Sequence, residues 1–397
     1  MPRAILHLDL DAFFCAVEEQ HNAALRGTAF AVGGRADERG VVASCSYAAR
    51  RCGVRSAMPM AQALRLCPGL LIVPHRHGAY RAASRAVMQR LEDVTPLLEQ
   101  ISIDEAFMDV TGLPGAGAGL ARQIQRRINA ELGLPCSFGV AANKLVAKIA
   151  NNVGKASASG DGPPNAVTVV PPGEEAAFLA PLPVRELWGI GPKTAEKLAS
   201  FGVHTVGDLA RLPPDFLAQR FGKLGAELAL RAQGVDDRPV VTEHETRSIS
   251  RETTFARDVS DADTLRHTLR QLADDVGRRL RGEGLRGSTV RLKLRWADFT
   301  TLTRQMTVAA PVDQDGAIYQ AALRLFEQTW TPGQPVRLIG VGVAGLQGQA
   351  VQLSLWDAPA PQDDRRLLET LDRLRDRFGD NIIRRGSDLD TDDPDDA

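Results

Sequence analysis

Ala4-Ile5-Leu6-His7-Leu8-Asp9-Leu10-Asp11 alternates, so that Leu6, Leu8 and Leu10 share one face of an extended strand while His7, Asp9 and Asp11 share the other. It reads as a half-buried strand carrying acids. Beyond it, residues 12–20 have helical spacing, residues 40–43 read as a strand after Gly33-Gly34, and residues 47–52 as a helix. The pattern then predicts a helix over 80–91, a strand hairpin over 97–110, a helix over 120–132 and a short strand over 136–141, an alternating α/β layout. Within the hairpin, Ser102-Ile103-Asp104-Glu105-Ala106-Phe107 sets two acids side by side. Neighbours on a regular strand face opposite ways, so Asp104 and Glu105 can serve one site only at a hairpin tip or bulge. If the first strand lies beside that hairpin, Asp9, Asp104 and Glu105 converge and their repulsion demands a cation. Two Mg²⁺ ions about 3.5–4 Å apart would satisfy them and suit in-line attack at a phosphate. Taken singly, each acidic motif is better explained by solvated surface or an ion pair.

The rest of the chain changes character twice. After Val170-Pro171-Pro172-Gly173 come short helices punctuated by glycine, ending near Gly234. Residues 236–245 are polar, contain Pro239 and read as a linker. A third, α+β unit follows over 246–345, with a helix at 263–281, strands at 288–295, 301–308 and 336–343, and a further helix between them. Gly345-Leu346-Gln347-Gly348-Gln349 reads as flexible, residues 365–378 as an amphipathic helix through Leu367, Leu368, Leu371 and Leu374, and residues 388–396 as an acidic end expected to be disordered.

A chain of 397 residues exceeds what one core usually organises, and 44% hydrophobic with 24% charged residues is an ordinary globular composition. No run approaches the ~20 apolar residues of a membrane span, and Met1-Pro2-Arg3 leads into the strand without a leader-like apolar region, so no membrane association and a cytoplasmic location are expected. Cys15, Cys45, Cys52, Cys67 and Cys136 are scattered, odd in number and read as reduced thiols. The net charge of −1 hides an uneven distribution: residues 357–397 hold 7 basic and 13 acidic side chains, leaving the remainder mildly basic. His75-x-His77 lacks further ligands nearby and reads as a solvated loop.

Residues 6–19 and 102–112 resemble sequence blocks of the Y-family DNA polymerases, DinB branch. Val41-Val42-Ala43-Ser44-Cys45-Ser46-Tyr47-Ala48-Ala49-Arg50 resembles the fingers block of that family, and residues 139–150 a palm block. The resemblance runs over almost the whole chain. It implies a right-hand polymerase of α/β and α+β domains: palm at 1–11 and 78–170, fingers at 12–77, a small helical thumb with a helix-hairpin-helix at 171–235, a linker at 236–245, a little finger at 246–345 and a tail at 346–397. The implied activity is template-directed, low-fidelity DNA synthesis past lesions, in DNA repair. Asp9, Asp104 and Glu105 would hold two Mg²⁺ ions, with Mn²⁺ as a substitute and the Leu10 carbonyl as an additional ligand. The metals would activate the primer 3′-hydroxyl and neutralise the triphosphate, so no protein base is needed. Asp11 is left as structural.

The resemblance also assigns the substrates. Ser44, Tyr47, Arg50 and Lys155 would contact the triphosphate of the incoming deoxynucleotide, with Tyr47 and Arg50 on one helix face. Phe13 would be core beside that nucleotide, and Phe14 would stack beneath the sugar and exclude a ribose 2′-hydroxyl. Ala48 departs from the family, which often has Glu there, so a local ion pair is expected to be missing. For the primer-template, Gly189, Ile190, Gly191 and Lys193 of Trp188-Gly189-Ile190-Gly191-Pro192-Lys193 match a helix-hairpin-helix whose backbone approaches a phosphate, and Phe221-Gly222-Lys223-Leu224-Gly225 its companion. Arg291, Lys293 and Arg295 alternate on one strand face, with Arg247 and Arg251 added, as phosphate tracking requires; a solvated face is the competing reading. Glu243-His244-Glu245 makes the linker more acidic than is usual in the family. Gln352-Leu353-Ser354-Leu355-Trp356 resembles the peptide that docks bacterial polymerases on the ring-shaped sliding clamp, although some forty residues follow it here. A monomer is expected. Two readings compete: a non-catalytic scaffold that binds DNA and the clamp, and a nucleotide cyclase with a related palm.

Overall fold

The computed structural model describes residues 2–243, 245–348, 362–379 and 382–383. The chain divides into two compact units, Met1–His244 and Glu245–Ala397.

The first unit is organised around the strand Ile5–Leu10, central in a five-stranded sheet of order Leu98–Gln100, Glu105–Asp109, Ile5–Leu10, Cys136–Ala141, Val167–Val169. It runs antiparallel to both neighbours. Leu6, Leu8 and Leu10 enter a core shared with helices Phe13–His21, His77–Glu92 and Ala118–Leu132. The opposite face is not solvated, contrary to the half-buried strand expected. Helix Lys144–Ser157 covers it, and His7 and Asp11 are both 0% exposed. The helix lies this close because position 139 is glycine: a Cβ there would sit 1.8 Å from the Ala147 carbonyl oxygen and 2.6 Å from the Asn151 nitrogen. Asn143 caps the helix by accepting from the Val146 N–H at 3.0 Å.

A three-stranded sheet of Val42–Cys45, Phe30–Gly33 and Leu71–Val73, in that order, packs with helices Tyr47–Arg51 and Met60–Leu66. Short helices from Glu175–Leu179 to Lys223–Ala232 form a third layer whose core is continuous with the covered face of the five-stranded sheet. The stretch expected to be a free linker is fastened at its start: Asp236 accepts from the Leu145 N–H, Arg238 stacks over Trp188 at 4.6 Å, and the Val241 N–H donates to Glu99 at 2.8 Å.

The second unit is a four-stranded antiparallel sheet, order Thr301–Val312, Leu285–Trp296, Val336–Gly348, Ser248–Val259, with helices Ala262–Gly282 and Asp315–Thr329 on one face. Gly345–Gly348, expected to be flexible, continues a strand paired with Leu285–Gly287; the ladder bonds override the glycine composition. Helix Gln362–Phe378 is bound back to this unit through Arg281, whose Nε and Nη2 reach Asp372 at 2.7 and 3.1 Å. On this helix Leu368, Leu371 and Leu374 are half-buried, while Leu367 is exposed. The peptide Gln352 to Trp356 and the acidic end lie outside the described residues.

Candidate active site

Pairing places Asp9 directly opposite Glu105, and the Leu10 N–H donates to the Asp104 carbonyl at 3.0 Å. Residues 102–104 form the turn before the strand Glu105–Asp109, so the adjacent acids sit at a hairpin end, the one place where both can face one region. The turn is braced by Ser102, whose hydroxyl donates to Asp104 Oδ1 at 2.6 Å. Asp9, Leu10 and Asp104 line a cleft of about 200 Å³ with Phe13, Phe14, Ser44, Arg50 and Lys155. Glu105 lies beside that cleft, its Oε1 held by Lys148 at 2.5 Å. Among the described residues no three potential ligands converge on a single point.

Facing these acids is one side of helix Lys144–Ser157, where Lys144, Lys148, Asn151 and Lys155 recur at helical spacing. Each meets a polar residue of the sheet: Lys144 pairs with Glu99 at 2.7 Å, Lys148 with Glu105, Asn151 donates to Ser137 O at 3.1 Å and contacts His7 Nδ1 at 3.0 Å, and Lys155 meets Asp9 at 2.6 Å and Asp11 at 3.2 Å. The sequence reading found Lys155 and missed Lys148 and Asn151; their spacing along the helix was the available signal. Burial pushes the Asp9 carboxyl up, Lys155 partly offsets this, and Glu105 and Asp11 push it further up. Burial opposes the charge on Lys155, yet Asp9 and Asp11 together carry its pKa above the usual lysine value. His7 is held neutral, well below the ordinary imidazole range, by burial and then by Lys148 and Lys155.

The chain leaves Asp9 through Ala12, a non-glycine residue in the left-handed region at φ 46°, and so turns sharply into helix Phe13–His21. Phe13 is 3% exposed and belongs to the core while still bordering the cleft. Phe14 is half-buried and stacks on Tyr80, ring centroids 4.2 Å apart and planes 14° from parallel. Tyr80 is itself anchored, its hydroxyl donating to Glu18 at 2.6 Å, and Arg76 pairs with the same carboxylate. Ser44 lies buried at the cleft wall. Arg50 reaches over the Tyr47 ring at 4.9 Å and donates to the Cys45 carbonyl. The Tyr47 hydroxyl is buried and has no hydrogen-bond partner among the described residues. Close to Ala48, Arg51 finds its carboxylate on another segment, Asp161, at 3.3 Å.

The residues matched to DNA contact are distributed as follows. Gly189 (φ 102°) and Gly191 are exposed, and Gly191 N-caps helix Pro192–Ala199, which carries the exposed Lys193. Ile190 is 7% exposed, and its N–H donates to the Leu187 carbonyl at 3.0 Å. In the second unit Arg291, Lys293 and Arg295 project away from the core side chains Val290, Leu292 and Leu294. There Lys293 pairs with Glu252 at 2.7 Å, Arg291 donates to Gln305 and Arg295 to Thr301. Arg251 does not share that face: it lies on the far edge strand Ser248–Val259, in register with the buried Val341, and faces Asp275 of helix Ala262–Gly282 at 3.4 Å, while Arg247 is exposed. The described cysteines are all unpaired, with Cys52 alone exposed. His75 and His77 are exposed and stack 5.0 Å apart. Among the described residues, no helix is long and apolar enough to cross a membrane.

The fold is that of a DNA polymerase. A solved Y-family DNA polymerase chimera superposes with a TM-score of 0.75 and 26% identity, covering 86% of this chain and 98% of that one. The impB/mucB/samB family model matches residues 8–152, the helix-hairpin-helix motif of the same family 172–203, and its C-terminal domain 246–355. DNA polymerase IV of Desulfatibacillum aliphaticivorans is 43% identical over 96% of this chain and 95% of its own length. DNA polymerase IV of Dehalococcoides mccartyi is 40% identical over 97% of each, and that of Streptomyces coelicolor 44% over 86% and 71%. The chain belongs to the impB/mucB/samB family, the Y-family DNA polymerases of DinB type, and is a DNA-directed DNA polymerase.

Proposed function

We propose that this polymerase extends a primer by two-metal phosphoryl transfer, at low fidelity and past template lesions in DNA repair. The observation that carries the reading is the pairing of Asp9 with Glu105, with Asp104 alongside Leu10, at a cleft that also holds Phe14, Ser44, Arg50 and Lys155. Asp9, Asp104, Glu105 and the Leu10 carbonyl offer oxygen donors of the kind hard divalent cations such as Mg²⁺ or Mn²⁺ take, and such ions would replace the lysine contacts that Asp9 and Glu105 now make. When bound, the ions supply a polarised 3′-hydroxyl and charge neutralisation on the triphosphate. The protein's own residues do the positioning. Arg50, Lys155 and Ser44 meet the phosphates, and the Tyr47 hydroxyl, unpartnered among the described residues, supplies a donor whose burial alone would be costly. Phe14, held flat by Tyr80, excludes a 2′-hydroxyl.

On this reading residues 1–11 and 78–170 act as palm, 12–77 as fingers, 171–235 as thumb, 246–345 as little finger and 346–397 as a tail. Gly189 to Lys193 grip duplex phosphates, as do Arg247, Arg291, Lys293 and Arg295. The peptide Gln352 to Trp356 engages the sliding clamp. Primer extension with Mg²⁺ tests the proposal: the wild type adds deoxynucleotides, Asp104→Ala adds none while retaining primer-template binding, and Phe14→Ala also accepts ribonucleotides. DNA binding without any addition by the wild type would leave the scaffold reading standing, and a cyclic product without template the cyclase. Unchanged sugar selectivity in Phe14→Ala would refute the gate.

A further inference from the structure

The surroundings of Asp11 give this acid a task at the site. It is fully buried, and its own N–H is fixed by the Pro135 carbonyl at 2.9 Å. Ser137 Oγ reaches its two oxygens at 3.0 and 2.9 Å, the Asn165 N–H donates to Oδ2 at 3.0 Å, and Lys155 Nζ lies 3.2 Å from Oδ1. Two chain segments thus immobilise a carboxylate that, among the described residues, has Lys155 as its charged neighbour at contact distance. A lysine ammonium is a point charge on a stem with several rotors, and fixing it against a phosphate costs conformational entropy unless something else holds it. Of the two acids that Lys155 meets, Asp9 is committed to cation binding on the reading above. Asp11 is not.

We propose that Asp11 is a positioning residue for nucleotide binding: it holds Lys155 at the reach required by the triphosphate, and this role rests on the function proposed above. The alternative has the opposite sign. If Asp11 acted on the nucleotide only through its charge, it would repel the phosphates, and neutralising it would tighten binding. If it acts by holding Lys155, neutralising it weakens binding.

Asp11→Asn keeps the shape and leaves groups able to hydrogen-bond Ser137 and Asn165. Deoxynucleotide affinity is measured with a fluorescent deoxynucleoside triphosphate on a dideoxy-terminated primer-template, alongside KM and kcat on an extendable primer. The expected result is a loss of affinity and a rise in KM on the order of tenfold, the scale of one hydrogen bond to a charged group, with kcat much less affected. In a Lys155→Met background the same change should have no further effect, whereas a merely structural role would add its defect regardless of position 155. Unchanged or tighter binding in Asp11→Asn, or full additivity with Lys155→Met, overturns the assignment while the wild type still extends primers. A wild type unable to extend primers removes the functional reading, and this inference with it.

Discussion

Gly139→Ala should damage both stability and nucleotide use, because one methyl group would be placed between the central sheet and the helix that carries Lys148 and Lys155. The added Cβ would lie 1.8 Å from the Ala147 carbonyl oxygen and 2.6 Å from the Asn151 nitrogen, where ordinary contact begins at 3.4 Å. Both obstructing atoms are backbone, so no side chain can swing aside, and the helix must retreat by roughly 1.5 Å or the strand must bend. Overpacking of this kind costs about 1–3 kcal/mol, and a backbone clash belongs at the upper end. For a unit of this size, about 3 kcal/mol corresponds to a fall in Tm of roughly 6–12 °C. The same retreat stretches the contacts of Lys155 to Asp9 and Asp11, now 2.6 and 3.2 Å, past hydrogen-bond range. Differential scanning calorimetry of the full chain, with KM for a deoxynucleotide measured below the transition, tests both consequences. A Tm within about 1 °C of wild type would show that helix and strand adjust freely and would refute the account of how the helix is seated.

Two further outcomes follow from charged contacts away from the cleft. Burial raises the Glu18 carboxyl, but hydrogen bonds from Arg76 and Tyr80 outweigh it and leave the pKa below the ordinary glutamate value. A carboxyl depressed on folding contributes stability that is complete above its unfolded pKa of about 4.3 and is lost as pH falls through the folded value. Thermal melts of the wild type between neutral pH and pH ~3 should therefore lose Tm faster than those of Glu18→Gln, which is less stable at neutral pH; parallel curves would contradict this. In the second unit, deleting residues 362–397 removes Asp372 from the 5%-exposed Arg281 and leaves it Asp315 at 2.6 Å. The expected cost is about 1–3 kcal/mol, read as a Tm several degrees lower, and Asp372→Asn should reproduce part of it. An unchanged melt would mean that the tail helix contributes nothing to this unit.

What could be read from the sequence was whatever local periodicity encodes. The alternation of residues 4–11 and 288–295 and the helical spacing of 120–132 and 263–281 match the strands and helices found there. The strand Ser248–Val259 escaped notice because it is an edge strand with one fully buried apolar side chain, Ile249, so no alternating hydrophobic signal exists. Burial of His7 and Asp11 could not be read either: whether a polar strand face is solvated depends on which helix lands on it, a fact set by Gly139 and by residues more than a hundred positions away. Lys148 illustrates a subtler gap. Its helical spacing with Lys144, Asn151 and Lys155 marks a shared face, but that spacing does not name Glu105 as its partner.

The segment that presents Asp9 is the middle strand of its sheet and is paired with a neighbour along either edge. Small openings of the kind that let loops sample water would not reach it, so its amide protons should exchange near the rate set by global unfolding. Catalytic competence and survival of the whole unit are therefore coupled: the acid is not misplaced by fluctuation while the rest stays folded. On the function proposed above, adaptation to irregular templates comes instead from parts beyond the Ala12 turn, where the backbone leaves the sheet.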